Sequence, residues 1–93
     1  MKELSQESVV SRGSEHVETQ VGGQTLMMSV SQGKYFSVDQ TANRIWVLIE
    51  HPVSVRHIVD TLTREYDVND DECVGQVKAF LSELIENGLA VEH

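Results

Sequence analysis

The amino-acid sequence predicts an α+β domain: a three-stranded antiparallel sheet followed by three helices. Three observations predict it. Strict alternation sets in at His16 and folds back at Gly22-Gly23. Apolar residues recur at helical spacing from Ala42 onward, and Asn69 with Glu72 opens a long amphipathic stretch that closes on Gly88.

Residues 1–14 show no sustained period and read as a partly ordered N-terminal arm, in which Val9 and Val10 can pack locally. Residues 15–93 read as one domain. From His16, the residues Val17, Thr19 and Val21 point one way, while His16, Glu18 and Gln20 point the other. Gly22-Gly23 supplies a two-residue hairpin turn, because glycine tolerates the positive φ such turns require. Pairing across it sets Val21 opposite Gln24, Thr19 opposite Leu26 and Val17 opposite Met28, so the apolar sides coincide. Val30 continues that side, and Gln32-Gly33 makes a second turn. The third strand runs from Lys34 to Val38, with Phe36 and Val38 on one face and Tyr35 and Ser37 on the other.

Asp39 is placed to cap the first helix, Thr41 to Ile49, whose Ala42, Ile45, Trp46 and Ile49 form an apolar face with Trp46 in the core. The helix ends before His51-Pro52, since proline disfavours a helical residue ahead of it. Ser54 caps a second helix, Val55 to about Tyr66, with Val55, Ile58, Val59 and Leu62 inward. The third runs from Asp70 to about Asn87, and its first-turn acids Asp70, Asp71 and Glu72 complement the helix dipole. Gly88 fits the left-handed position after the helix and Leu89 the apolar residue that follows. Leu89-Ala90-Val91 reads as a short strand or packed coil. Strands, then short helices with brief connectors, read as a winged-helix-like arrangement, a helix-turn-helix beside a small sheet.

Composition excludes several functions. A chain of 93 residues leaves no room for an enclosed substrate cavity. No apolar run is long enough to span a bilayer, the N-terminus lacks a signal-peptide apolar region, and the single Cys73 forms no internal disulfide. A cytoplasmic location is expected. Seven basic against 15 acidic residues give a net charge of −8, and the basic ones are thinly spread, which disfavours nucleic acid and anionic membrane as partners.

No catalytic constellation is expected either. His51 and His57 lack partners at metal-ligand spacing, and Cys73 has no histidine beside it on its helix. Asp70-Asp71-Glu72 lacks the alternating ligands and glycine of a calcium loop, and no helix follows Gly22-Gly23 as a phosphate loop requires. The sequence therefore predicts no metal, no cofactor and no enzyme.

What remains is surface. An uncovered edge strand offers unpaired N–H and C=O groups to an extended peptide. Around the third helix the apolar residues run in the order Phe80, Cys73, Leu84, Val77, Leu81, Val74, Ile85, an arc of about 140° and wider than a surface helix needs. One flank can therefore border the sheet as a binding surface, or the whole arc can serve the core. Two other readings share this element order. A DNA-binding winged-helix regulator needs a basic recognition helix, whereas both later helices are rich in Asp and Glu. A subunit that pairs with its own copy would use the sheet edge.

Three runs carry a resemblance: Tyr35-Phe36-Ser37-Val38-Asp39 with Ala42, Ile45, Trp46, Leu48 and Ile49; Ser54-Val55 with Ile58, Val59, Leu62 and Tyr66-Asp67-Val68; and Val77, Phe80-Leu81 and Leu84 ending in Gly88-Leu89. Together they resemble the pyrroloquinoline-quinone biosynthesis protein D family, over about residues 16–91. That family includes stand-alone recognition elements of ribosomally made, modified peptides, those of lasso-peptide pathways among them. The resemblance implies a non-catalytic winged helix-turn-helix domain that binds the leader segment of a precursor peptide and presents it to a maturation enzyme such as a leader peptidase. The leader would lie as an added strand antiparallel to the third strand, in the groove beside the third helix. Carried onto this chain, the site residues are Lys34, Tyr35, Phe36, Ser37 and Val38 on the strand, and Glu72, Cys73, Gln76, Val77, Phe80, Glu83 and Leu84 on the helix. Relatives often carry Asp where Gln76 stands here, so a charge contact there would be absent or supplied by Glu72 or Glu83.

Overall fold

The computed structural model describes residues 4–13, 16–22, 24–30, 33–38 and 40–93. Along the chain run β1 (Val9–Arg12), β2 (His16–Val21), β3 (Gln24–Ser29), β4 (Lys34–Val38), α1 (Gln40–Leu48), β5 (Val53–Ser54), α2 (Val55–Glu65), α3 (Asp70–Glu86) and β6 (Ala90–Glu92). The result is an α+β fold with two three-stranded antiparallel sheets, ordered β2-β3-β4 and β5-β1-β6. The first is the expected meander. The second joins the arm to the end of the chain, which strands of two to four residues are too short to announce by alternation.

The hairpin pairs Val21 with Gln24, Thr19 with Leu26 and Val17 with Met28, as the alternation predicts. Gly22 and Gly33 take φ values of 58° and 65°, the left-handed region in which a Cβ would be strained. Gly23 and Gln32 of the expected turns and the expected cap Asp39 lie outside the described residues. Burial identifies the inward face: Thr25, Met27, Ser29 and Val38 are buried, whereas Val17 is 53% exposed and Tyr35 73%. The apolar side shared by β2 and β3 is therefore the outer one.

The inner side is partly polar, and its polar groups are bonded. The Trp46 indole N–H donates to Glu18 Oε2 at 3.3 Å, and the Thr25 hydroxyl donates to Asn43 Oδ1 at 2.9 Å while accepting from Gln20 Nε2 at 2.9 Å. The Ser29 hydroxyl donates to the Asn87 carbonyl. These bonds tie the meander to α1 and to the end of α3, and satisfied buried groups of this kind contribute about 1 kcal/mol each.

The helix termini follow their capping residues. Ser54 accepts from the His57 N–H at 3.1 Å, and Asn69 Oδ1 accepts from Asp71 and Glu72 N–H groups at 2.9 and 3.2 Å. At the end of α3, Gly88 takes φ 74°, its N–H donates to the Ile85 carbonyl at 3.2 Å, and the Leu89 N–H donates to the Leu84 carbonyl at 2.8 Å. This pair of bonds is the Schellman motif, with Leu89 fully buried as its apolar anchor.

The arm is sewn in. Strand β1 lies between β5 and β6, and carbonyls of Ser8 and Gln6 accept from Val55 and Arg56 N–H groups, both at 2.9 Å, satisfying the first turn of α2. Arg12 Nε and Nη2 donate to the Trp46 carbonyl at 3.0 and 2.8 Å, near the carbonyl end of α1, with the guanidinium 4.4 Å from the indole centroid. The core beneath consists of Val10, Trp46, Ile49, Ile58, Leu62, Leu81, Leu84 and Leu89, among others. Among the described residues no helix is long and apolar enough to cross a membrane.

Candidate functional site: the edge of β4 beside α3

In an antiparallel ladder, directly bonded pairs alternate with unbonded ones. A two-residue hairpin turn closes on a bonded pair, here Val21 with Gln24. Counting from it, Gln24, Leu26 and Met28 direct their backbone groups to β2, and Thr25, Met27 and Ser29 direct theirs to β4. Strand β4 is therefore bonded through Lys34, Phe36 and Val38, and the N–H and C=O of Tyr35 and Ser37 point away from the sheet. Among the described residues no strand takes up that edge, since the arm and the tail pair with each other instead.

Helix α3 lies near both ends of this strand. The Ser29 hydroxyl bonds the Asn87 carbonyl, and Ser29 is the register partner of Lys34, so the end of α3 lies by the start of β4. At the other end of β4, Thr41 and Ala42 of α1 share a cavity of about 300 Å³ with Gln76 and Phe80. The helix thus presents Gln76 and Phe80 to this cavity, and Glu83 falls on the same flank by helical spacing. Its opposite flank, at Lys78, faces the arm residues Leu4 to Glu7 and Arg56.

A smaller cavity of about 160 Å³ continues from the slot into the helical layer, sharing Thr41, Ile45 and Gln76 with the first. Ile45, Leu62, Cys73 and Val77 make its floor, and Tyr66, Glu72 and Gln76 stand at its rim. Burial pushes the Cys73 thiol up from its ordinary pKa, and the charge of Asp70 adds to the shift, so the floor carries a neutral thiol.

The structure brings five of the expected site residues, Glu72, Cys73, Gln76, Val77 and Phe80, to these two cavities. Phe36 is half-buried on the inner face of β4, on the side of α3, and Val38 lies under the same face. Tyr35 stands on the outer face, while the side chains of Lys34 and Ser37 lie outside the described residues. Glu72, Gln76 and Glu83 are exposed, and Phe80 is half-buried against the core. Cys73 and Val77 are buried walls of the inner cavity, and Leu84 is fully buried in the core. Sequence reasoning missed Thr41, Ala42, Ile45, Tyr66 and Val68 as lining residues, because they join the site only through the packing of α1 and α2 on α3. It also missed that Val17, Leu26, Met28 and Tyr35 share the outward face of the meander.

The fold is similar to two solved structures. One, described as TbiB1 in complex with the TbiA(beta) leader peptide, matches with a TM-score of 0.75 and 25% identity over 86% of this chain and 93% of that one. The other, described as lasso peptide synthetase B1 complexed with the leader peptide, matches with a TM-score of 0.71 and 24% identity over 88% of this chain and 96% of that one. No curated protein matches the chain. The family model for coenzyme PQQ synthesis protein D (PqqD) matches residues 24–90, from the hairpin through all three helices to the start of β6, and the chain belongs to that family.

Proposed function

We propose that this protein is a non-catalytic adaptor that binds the leader segment of a ribosomally made precursor peptide and delivers it to a maturation enzyme, a leader peptidase of a lasso-peptide pathway in the first instance. The observation that carries this reading is the edge of β4, unpaired among the described residues, near the cavity between α1 and α3. The leader adds as a strand antiparallel to β4, bonding Tyr35 and Ser37 through the backbone. Its side chains on the inner side meet Phe36 and Phe80, and one of them enters the cavity floored by Ile45, Cys73 and Val77. The leader complexes among the structural neighbours support the same reading.

Delivery needs a second surface, and the outer face of the meander fits that need. Val17 and Tyr35 are largely exposed there and Leu26 and Met28 half-exposed, an apolar patch of the kind that marks a protein contact. We read the helices and hairpin together as a winged helix-turn-helix scaffold working in the cytoplasm, with peptide rather than nucleic acid as ligand.

The test is affinity for the cognate leader. Phe80→Ala is expected to weaken binding by about 1–3 kcal/mol, as loss of a buried anchor does. Val17→Ser with Met28→Ser is expected to leave leader affinity intact while abolishing co-purification with the peptidase. A Phe80→Ala protein that stays folded and binds the leader as tightly as the parent contradicts the groove assignment.

A further inference from the structure

The flank of α3 that faces the slot carries two carboxylates, Glu72 and Glu83, on nearly the same side of the helix. Both are exposed, and neither side chain has a hydrogen bond or ion pair with any described residue. The cations with described partners or neighbours are engaged elsewhere: Arg12 on Trp46, Arg44 on Glu65, Arg64 on the Asp60 carbonyl, and Lys78 and Arg56 beside the arm on the opposite flank. A chain of net charge −8 therefore offers its peptide slot two acids that no described side chain neutralises.

We propose that the peptide recognised in this slot is basic, with two Lys or Arg side chains that pair with Glu72 and Glu83; the inference rests on the leader-binding reading above. Glu72 and Glu83 stand three helical turns apart, roughly 16 Å along the axis. An extended chain covers that distance in about five residues, and side chains on one side of a strand recur every second residue, so the two cations are roughly four or six positions apart. The geometry also orders them. An added strand antiparallel to β4 runs parallel to α3, so the first cation meets Glu72 at the mouth of the inner cavity and the second meets Glu83 by the end of α3. At Glu72 the floor of Ile45, Cys73 and Val77 suits the aliphatic stem of a long basic side chain whose charged tip stays at the rim.

Selection from a random-peptide library tests this, using the full chain and its Glu72→Gln, Glu83→Gln double variant as separate baits. Both baits are first compared by thermal melting, and the best peptides are mapped by amide exchange on β4. The proposal expects peptides from the parent protein to be enriched in Lys or Arg pairs at that spacing. It also expects the double variant to bind those peptides about tenfold more weakly and added salt to weaken the parent complex. Parent-selected peptides that protect Tyr35 and Ser37 yet lack such pairs overturn the charge rule while leaving strand addition standing. Selected peptides that leave β4 unprotected remove the leader-binding reading, and the charge rule falls with it.

Discussion

The two sheets use the same ladder chemistry for opposite ends. In β5-β1-β6 the middle strand is drawn from the arm, Val10 and Ala90 are buried, and the edges run into α2 and the end of α3. In β2-β3-β4 the last strand is open along one side among the described residues, and Val17, Leu26 and Met28 of the hairpin turn outward while Met27 stays inside. Binary patterning alone would place Val17, Leu26 and Met28 inside. The polar inner set of Glu18, Thr25 and Ser29 holds instead, because each meets a partner on α1 or the end of α3. One sheet closes the fold, and the other keeps an edge and a face available.

The sharpest way to break this comparison is Trp46→Ala. Trp46 links both sheets, through Arg12 on one side and Glu18 on the other, and its loss is expected to cost about 3–5 kcal/mol in urea unfolding. Next comes Gly13→Ala. A Cβ at Gly13 would sit 2.7 Å from the Gly88 carbonyl oxygen, where β1 meets the Schellman turn, and displacement of that backbone is expected to cost about 1–3 kcal/mol. A Gly13→Ala protein as stable as the parent would mean that the closed sheet is looser than its contacts imply.

Val17→Ser and Tyr35→Ser sharpen the other half of the comparison. Each is expected to change stability by less than about 0.5 kcal/mol, since the outer face is exposed and carries none of the core. A larger loss would make that face structural rather than available. The smallest effect belongs to Arg44 and Glu65, bonded at 2.7 and 2.8 Å on the surface. The Arg44 hydrogen bond holds the Glu65 carboxyl below its ordinary pKa, so whatever stability the pair contributes is present above the unfolded carboxyl's pKa and fades as pH falls through the folded one. Glu65→Gln should flatten only that acid limb.

Much of this was legible from local rules. Caps at Ser54 and Asn69, the Gly88-Leu89 stop and the hairpin register rest on residues close in sequence, and each stands where its chemistry requires. The short strands β1 and β5 were not legible, and β6 only as one of two readings of Leu89-Ala90-Val91, because their ladders join residues far apart in the chain. Within the site, periodicity left two sheet edges open and set a wide apolar arc on α3, while the choice of the β4 edge beside that helix came from the family resemblance. The contributions of Thr41, Ala42, Tyr66 and Val68 came from neither, since nothing in their own neighbourhoods says that α1 and α2 close around α3. Leu84 lies between Phe80 and buried Leu81 on the helix wheel, and only packing decides that it goes fully inward.

The central claim is that a foreign strand completes the open edge of β4, and amide exchange followed by NMR on the full chain with its cognate leader tests it most directly. Protection should rise at the Tyr35 and Ser37 amides, which face away from the sheet, while Phe36, already bonded to β3, changes little. Tight leader binding with Tyr35 and Ser37 exchanging as fast as in the free protein would contradict it.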